Sequence, residues 1–321
     1  MRGTQVAGII LIASAVIVGR LTLEPGLAAE VWVTNMRSAN VQVIDLATNK
    51  VVATITTDKG ANDVTISSDG KLAFVANVEA NNVTIIDAVE KRVIATVPAG
   101  VRAHQVAISP DGNMALCSNS RSGDVTFIDV VQKKAAYTLP TGKEPMMAVF
   151  SPDGKQAFVA NAGDASVSVI DTATRRVLKT IPGGGRGMMA FEPTKGFKLA
   201  WTTGPAEDKI FIIDLAKGER VEVIAVPGEP HGLALSPDEK VAYVVQRKLS
   251  QLSVIDTTSR KITKTAPLGN RPDMVVVSPD GKTLYVTSRN ENNLLVVSTA
   301  DLKVIAKIPT GEEPHGVAYR R

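Results

Sequence analysis

A single interval governs this chain. Ile44-Asp45 returns as Ile86-Asp87, Ile128-Asp129, Ile170-Asp171, Ile213-Asp214 and Ile255-Asp256, with a degenerate copy at Val297-Ser298; the spacings are 42, 42, 42, 43, 42 and 42 residues. A second marker, Ser-Pro-Asp-Gly or a close variant, opens at Ser67, Ser109, Ser151, Ser236 and Ser278, with a worn copy at Glu192-Pro193-Thr194. A period of this length means that each repeat is one supersecondary unit, unable to bury its apolar face alone and obliged to stack on its neighbours.

The content of the unit follows from its alternation. Val64-Thr65-Ile66, Leu72-Ala73-Phe74-Val75, Val83-Thr84-Ile85-Ile86 and Val93-Ile94-Ala95-Thr96-Val97 are short runs bounded by Gly, Pro, Asn or Asp. Period two with frequent turns predicts antiparallel strands. Four strands in each repeat of about 42 residues match a propeller blade. The expected fold is all-β, a seven-bladed β-propeller of four-stranded antiparallel blades over residues 30–321. The first repeat begins at Glu30-Val31-Trp32 without an inner strand, and the chain ends on Gly316-Val317-Ala318-Tyr319-Arg320-Arg321, an inner strand with nothing after it. The terminal strand should therefore join the N-terminal blade and remove an exposed edge.

Residues 1–29 read differently. Arg2 precedes an apolar or small run of 14 residues, Val6 to Gly19, and Gly26-Leu27-Ala28-Ala29 follows. As a helix that run rises about 21 Å, short of the roughly 30 Å hydrocarbon core. A signal peptide cleaved after Ala28 or Ala29 is expected, with a retained anchor as the alternative. The mature chain would then lie in the periplasm or outside the cell, with no membrane span, as a monomer. Cys117 is the single cysteine, which excludes an intramolecular disulfide framework and any paired CxxC site. A net charge of +4 spread along the chain gives no case for a nucleic-acid-binding tail.

The strand ends Trp32-Val33-Thr34-Asn35, Phe74-Val75-Ala76-Asn77, Phe158-Val159-Ala160-Asn161 and Tyr285-Val286-Thr287-Ser288 resemble the YVTN repeat family, over essentially residues 30–321. Leu116-Cys117-Ser118-Asn119, Trp201-Thr202-Thr203-Gly204 and Tyr243-Val244-Val245-Gln246 depart from the pattern. The resemblance implies an exported propeller, mostly of non-catalytic kinds. Seven repeats in a chain of this length resemble the propellers associated with quinone-cofactor-dependent alcohol oxidation. It also implies a single-stranded-DNA-binding alternative.

Features shared by every blade are architectural, so a site must come from equivalent positions that differ. The Asp of the Ile-Asp series and the Ser-Pro-Asp-Gly loops read as turn formers, and Cys117, aligned with Val75 and Val159, reads as a core thiol. The turn leading into each inner strand carries the variation: Asn62, His104, Met146, Met188, His231, Asp273 and His315. All 3 histidines of the chain fall on this one position. Imidazole with carboxylate suits zinc, iron or copper, and neighbouring thioethers would favour copper in its softer state. A hydrated polar channel mouth, or an organic ligand, accounts for the same residues. Two positions upstream lie Gly60, Arg102, Glu144, Arg186, Glu229, Arg271 and Glu313, alternating in sign from blade to blade after the glycine. They predict either a solvated ring of ion pairs between blades or arginines that grip a carboxylate or phosphate.

Three functions are compatible with these residues. The first is a non-enzymatic binding propeller that holds a periplasmic protein or small anionic ligand on the channel-mouth face, accessory to quinone-dependent alcohol oxidation. The second is a metal-binding protein or metalloenzyme of lactonase, lyase or reductase type at the histidine ring. The third is a single-stranded nucleic-acid binder, which the lack of clustered aromatics disfavours.

Overall fold

A computed structural model describes residues 29–320; residues 1–28 of the expected leader and Arg321 lie outside the described residues. Seven four-stranded antiparallel sheets follow one another around a ring. Blade one pairs the terminal strand Pro314–Arg320 with Glu30–Asn35, then Asn40–Asp45 and Lys50–Thr56. The inner strands of blades two to seven are Ala61–Ile66, Ala103–Ile108, Pro145–Phe150, Phe191–Pro193, Pro230–Leu235 and Pro272–Val277. Closure by the last strand is thus as the repeat register predicted. No helix among the described residues is long and apolar enough to cross a membrane.

Alternation places the core. The second and third strands of each blade are buried on both faces, whereas the outermost strand is largely exposed. Apolar clusters lie between neighbouring blades, as where Phe74, Ile85 and Val97 meet Val106, Cys117 and Ile128. Cys117 is buried there, and burial pushes its thiol up, which keeps it inert.

The shared polar residues are architectural. Ser67 donates to Asp69 at 2.6 Å, and Ser109, Ser151, Ser236 and Ser278 repeat the bond. Gly70, Gly112, Gly154 and Gly281 supply positive φ in these loops. Asp45 accepts from the Thr48 amide at 2.8 Å, three residues on. The Asn ending the second strand ties down the third: Asn77 donates at 2.8 Å to Asn82 and to Thr84.

The ring is latched where its ends meet. Glu30, almost fully buried, accepts from Arg320 at 2.7 Å, Lys91 at 2.8 Å and Trp32 at 3.2 Å. Burial raises its carboxyl, but those bonds outweigh the burial and hold it below the usual carboxylate range. One carboxylate therefore joins the first strand, the last strand and the adjacent blade.

Candidate functional site

In every blade but the fifth the inner strand opens on a β-bulge, and the bulge positions the site. Register shifts fall between Ala61 and Asp63, Ala103 and Gln105, Pro145 and Met147, Pro230 and Leu233, and Pro272 and Val275. The residues displaced from the ladder are Asn62, His104, Met146, His231 with Gly232, and Asp273 with Met274, and each set includes the one singled out from the repeat. A bulge re-aims a side chain, and here the re-aimed residues meet at the hub, with ring centroids 5.9 Å apart for His231 and His315 and 6.5 Å for His104 and His315. Blade five differs. Its one-residue insertion lies ahead of the inner strand, because Phe191 pairs with Thr202 as Val275 pairs with Val286. Met189 thus takes the ring position, and Met188 packs fully buried among Phe158, Val167, Ile181 and Phe191.

A relay of side chain to main chain runs around the ring. Asn62 Nδ2 donates to the His104 carbonyl at 2.7 Å, and His104 Nδ1 to the Met146 carbonyl at 3.1 Å. His231 Nδ1 donates to the Asp273 carbonyl and His315 Nδ1 to the Asn62 carbonyl, each at 2.9 Å. A carbonyl only accepts, so Nδ1 carries the proton in all three histidines and Nε2 presents its lone pair. Burial drives all three toward the neutral form, His104 to about 3.

His231, Asp273 and His315 form a tight group, with one ligand-type atom of each within 4.8 Å of the others. Arg247 pairs with Asp273 Oδ1, and Arg289 stands 3.6 Å from Oδ2. Burial raises the Asp273 carboxyl, but the surrounding positive groups more than reverse this and keep it ionised; with the imidazoles neutral, the two guanidiniums do that work. These arginines also reach the rim: Arg289 bonds Glu313 at 2.7 Å and Arg247 lies 3.7 Å from Glu229. His231 Nε2 and Asp273 Oδ2 are buried without a hydrogen-bond partner.

The expected ring of ion pairs between successive rim residues does not form. Arg102, Glu144, Arg186 and Arg271 have no salt bridge among the described residues; Glu229 and Glu313 pair instead with Arg247 and Arg289 from the loops beyond the second strands. The rim position is a left-handed turn. Gly60, Arg102, Glu144, Glu229, Arg271 and Glu313 have φ of 77°, 61°, 51°, 61°, 55° and 55°, and in blade five Gly187, at 72°, takes the place expected of Arg186. Sequence reasoning did not place Arg247 and Arg289 at the hub. Their signal was available: the residue after the second strand is Met36, Val78, Ser120, Ala162, Pro205, Arg247 and Arg289, so the two arginines flank the one acidic hub residue.

Two spaces adjoin the hub. Above blades three and four is an open pocket of about 830 Å³, lined by Arg102, Arg121, Lys143, Glu144, Ser122 and Met146. The axial channel beneath the hub holds a cavity of about 410 Å³ among Val64, Met147, Leu233, Met274, Asp63 and Glu192. Burial pushes the carboxyls of Asp63 and Glu192 up to about 7.

The fold and hub define a seven-bladed propeller with a closed polar centre. A family model described as "Cytochrome D1 heme domain" matches residues 78–195, less than half of the chain. Among solved structures, hydrazine synthase of Kuenenia stuttgartiensis is similar at 22% identity, over 85% of this chain and 92% of that one, with a TM-score of 0.75. The dihydro-heme d1 dehydrogenase NirN in complex with DHE is similar at 18% identity, over 90% and 74%, with a TM-score of 0.68. A functionally unknown protein from Desulfotomaculum acetoxidans DSM 771 shares 16% identity over 91% and 99%, with a TM-score of 0.79. No curated protein matches. These likenesses show the fold. The hub itself does not fit a haem: His231 and His315 meet edge to face at 5.9 Å, with Asp273 fully buried beside them, which leaves no slot for a macrocycle.

Proposed function

We propose that this chain is an exported, non-enzymatic binding propeller that takes a small ligand rich in carboxylates in the open pocket above blades three and four. The carrying observation is the charge inside that pocket. Arg102, Arg121 and Lys143 line it, all are exposed, and none has a salt-bridge partner among the described residues. Three cations against the single carboxylate of Glu144 leave the concave site net positive, and with Met146 offering an apolar floor it suits an anionic ligand. Planar, multiply carboxylated cofactors are the natural class. The YVTN-like repeats favour a tricarboxylate quinone, and the partial match to a haem d1 domain favours a tetrapyrrole carboxylate held outside the hub. An anionic patch on a protein that handles such a cofactor would engage the same cations. The face offers a poor site for single-stranded nucleic acid, because no aromatic side chain is among its exposed large apolar residues.

Calorimetric titration of the mature chain with pyrroloquinoline quinone and with haem d1 tests the reading. One of them should bind saturably, more weakly as salt rises, and Arg121→Ala with Lys143→Ala should weaken it at unchanged thermal stability. Absence of binding by both, or binding indifferent to the two substitutions, overturns the proposal.

A further inference from the structure

The hub holds a second feature, independent of the open pocket. We infer that His231, Asp273 and His315 form a mononuclear site for a divalent first-row transition ion, with Nε2 of each imidazole and Oδ2 of the carboxylate as ligands.

The ligand atoms are prepared for a cation rather than for one another. Each imidazole is held by an Nδ1–H bond to a main-chain carbonyl of the neighbouring blade, at 2.9 Å in both cases. Such a bond fixes the tautomer and ring orientation in metal-binding histidines and raises the basicity of the free nitrogen. Burial keeps both rings neutral, which is the form that ligates. Two of the donor atoms, His231 Nε2 and Asp273 Oδ2, are buried without a hydrogen-bond partner, a state that is costly unless something satisfies it. His315 Nε2 lies 3.7 Å from Asp273 Oδ2. Bonds of about 2.1 Å in a tetrahedral site set ligand atoms roughly 3.4 Å apart, so that pair is already near ligating separation.

The arginines beside Asp273 do not stand alone: Arg247 and Arg289 are shared with Glu229 and Glu313, and Lys248 lies 3.8 Å from Glu229, so carboxylates offset the cations around the hub. Arg247 engages Oδ1 of Asp273, whereas Oδ2 accepts no hydrogen bond and faces Arg289 at 3.6 Å and His315 Nε2 at 3.7 Å; a ligating carboxylate held from behind is the usual arrangement. Two imidazoles and one carboxylate select zinc, ferrous iron or cupric copper.

The test uses the untagged mature chain, purified without chelator, then dialysed against chelator and titrated with Zn²⁺ and Co²⁺. About one equivalent should bind, and the Co²⁺ form should show visible d–d absorption of a low-coordinate nitrogen and oxygen site. His231→Gln with His315→Gln should abolish both signals while circular dichroism stays that of a β-protein. If that variant does not fold, His315→Gln alone should weaken Zn²⁺ at least tenfold and change the Co²⁺ spectrum. A wild-type chain that takes up neither ion, or uptake and spectrum unchanged in a folded variant, overturns the site.

Discussion

The hub in blades six, seven and one and the pocket above blades three and four occupy equivalent places in the same repeat, yet they are opposites. In the first, Arg247 and Arg289 fold over a buried carboxylate, and every charge has a partner nearby. In the second, Arg102, Arg121 and Lys143 stand in solvent around about 830 Å³ of open space, with no salt bridge. The difference comes from few residues. Blades six and seven place an arginine directly after the second strand, where blades three and four have Ser120 and Ala162. An arginine there can reach inward to Asp273 and close the hub. A small residue leaves the face open, and the cations of the adjoining turns remain free for a ligand. One ring therefore offers an enclosed seat for a cation and an exposed seat for an anion.

The sharpest way to break this comparison is to remove the buried acid. Asp273→Ala leaves two guanidiniums near the hub without their central partner and should cost about 3–5 kcal/mol in chemical denaturation. Adding Arg247→Met should recover part of that loss; no recovery would show that charge pairing does not hold the sector closed. Glu30→Ala is the control outside the hub. It leaves Arg320 buried and unpaired at the closure and should cost about 3 kcal/mol, read as a lower denaturant midpoint and faster proteolysis from the ends.

The open sector predicts the reverse profile. Arg121→Ala or Lys143→Ala should leave the denaturation midpoint within about 0.5 kcal/mol of wild type. Each should weaken a carboxylate ligand roughly tenfold, or about 1.4 kcal/mol, by titration. A large stability loss there would mean that these cations are structural after all.

The channel beneath is tested through pH. An ordinary aspartate ionises near pH 4 in the unfolded chain, whereas Asp63 in the channel stays protonated up to about 7. The folded state therefore binds the extra proton between those values. The stability it contributes is fully present below about pH 4 and is lost as pH rises to 7. Asp63→Asn should be more stable than wild type at pH 8 and about equal to it near pH 4, with Glu192→Gln adding in the same direction. Equal pH profiles for wild type and both variants would show that the channel is wet enough to solvate the carboxylates.

Much of the site was legible because the repeat converts sequence spacing into angular position. Six of the seven hub residues lie where counting from Ile-Asp to Ile-Asp puts them, and the three histidines share one bulge. Blade five escaped the count. Its extra residue falls in Gly183-Gly184-Gly185-Arg186-Gly187, where nothing in the composition marks which residue is inserted. Pairing of Phe191 with Thr202 shows that Met189, not Met188, stands in register. The rim was misread for a related reason: alternation of sign suggested pairing, but the position is defined by a left-handed backbone, and its charges take partners by reach rather than by order around the ring.

The sequence alone determined the blade count, the closure by the last strand and the ring position on which the histidines lie. Strand alternation and turn chemistry are local, and a regular period repeats local choices around an axis. Only the tertiary structure decided that the hub is sealed, that Arg247 and Arg289 converge on Asp273, and that the neighbouring sector stays open. Those outcomes depend on the length and direction of side chains from different blades meeting in space, and on burial, which changes the charge state that a given residue adopts.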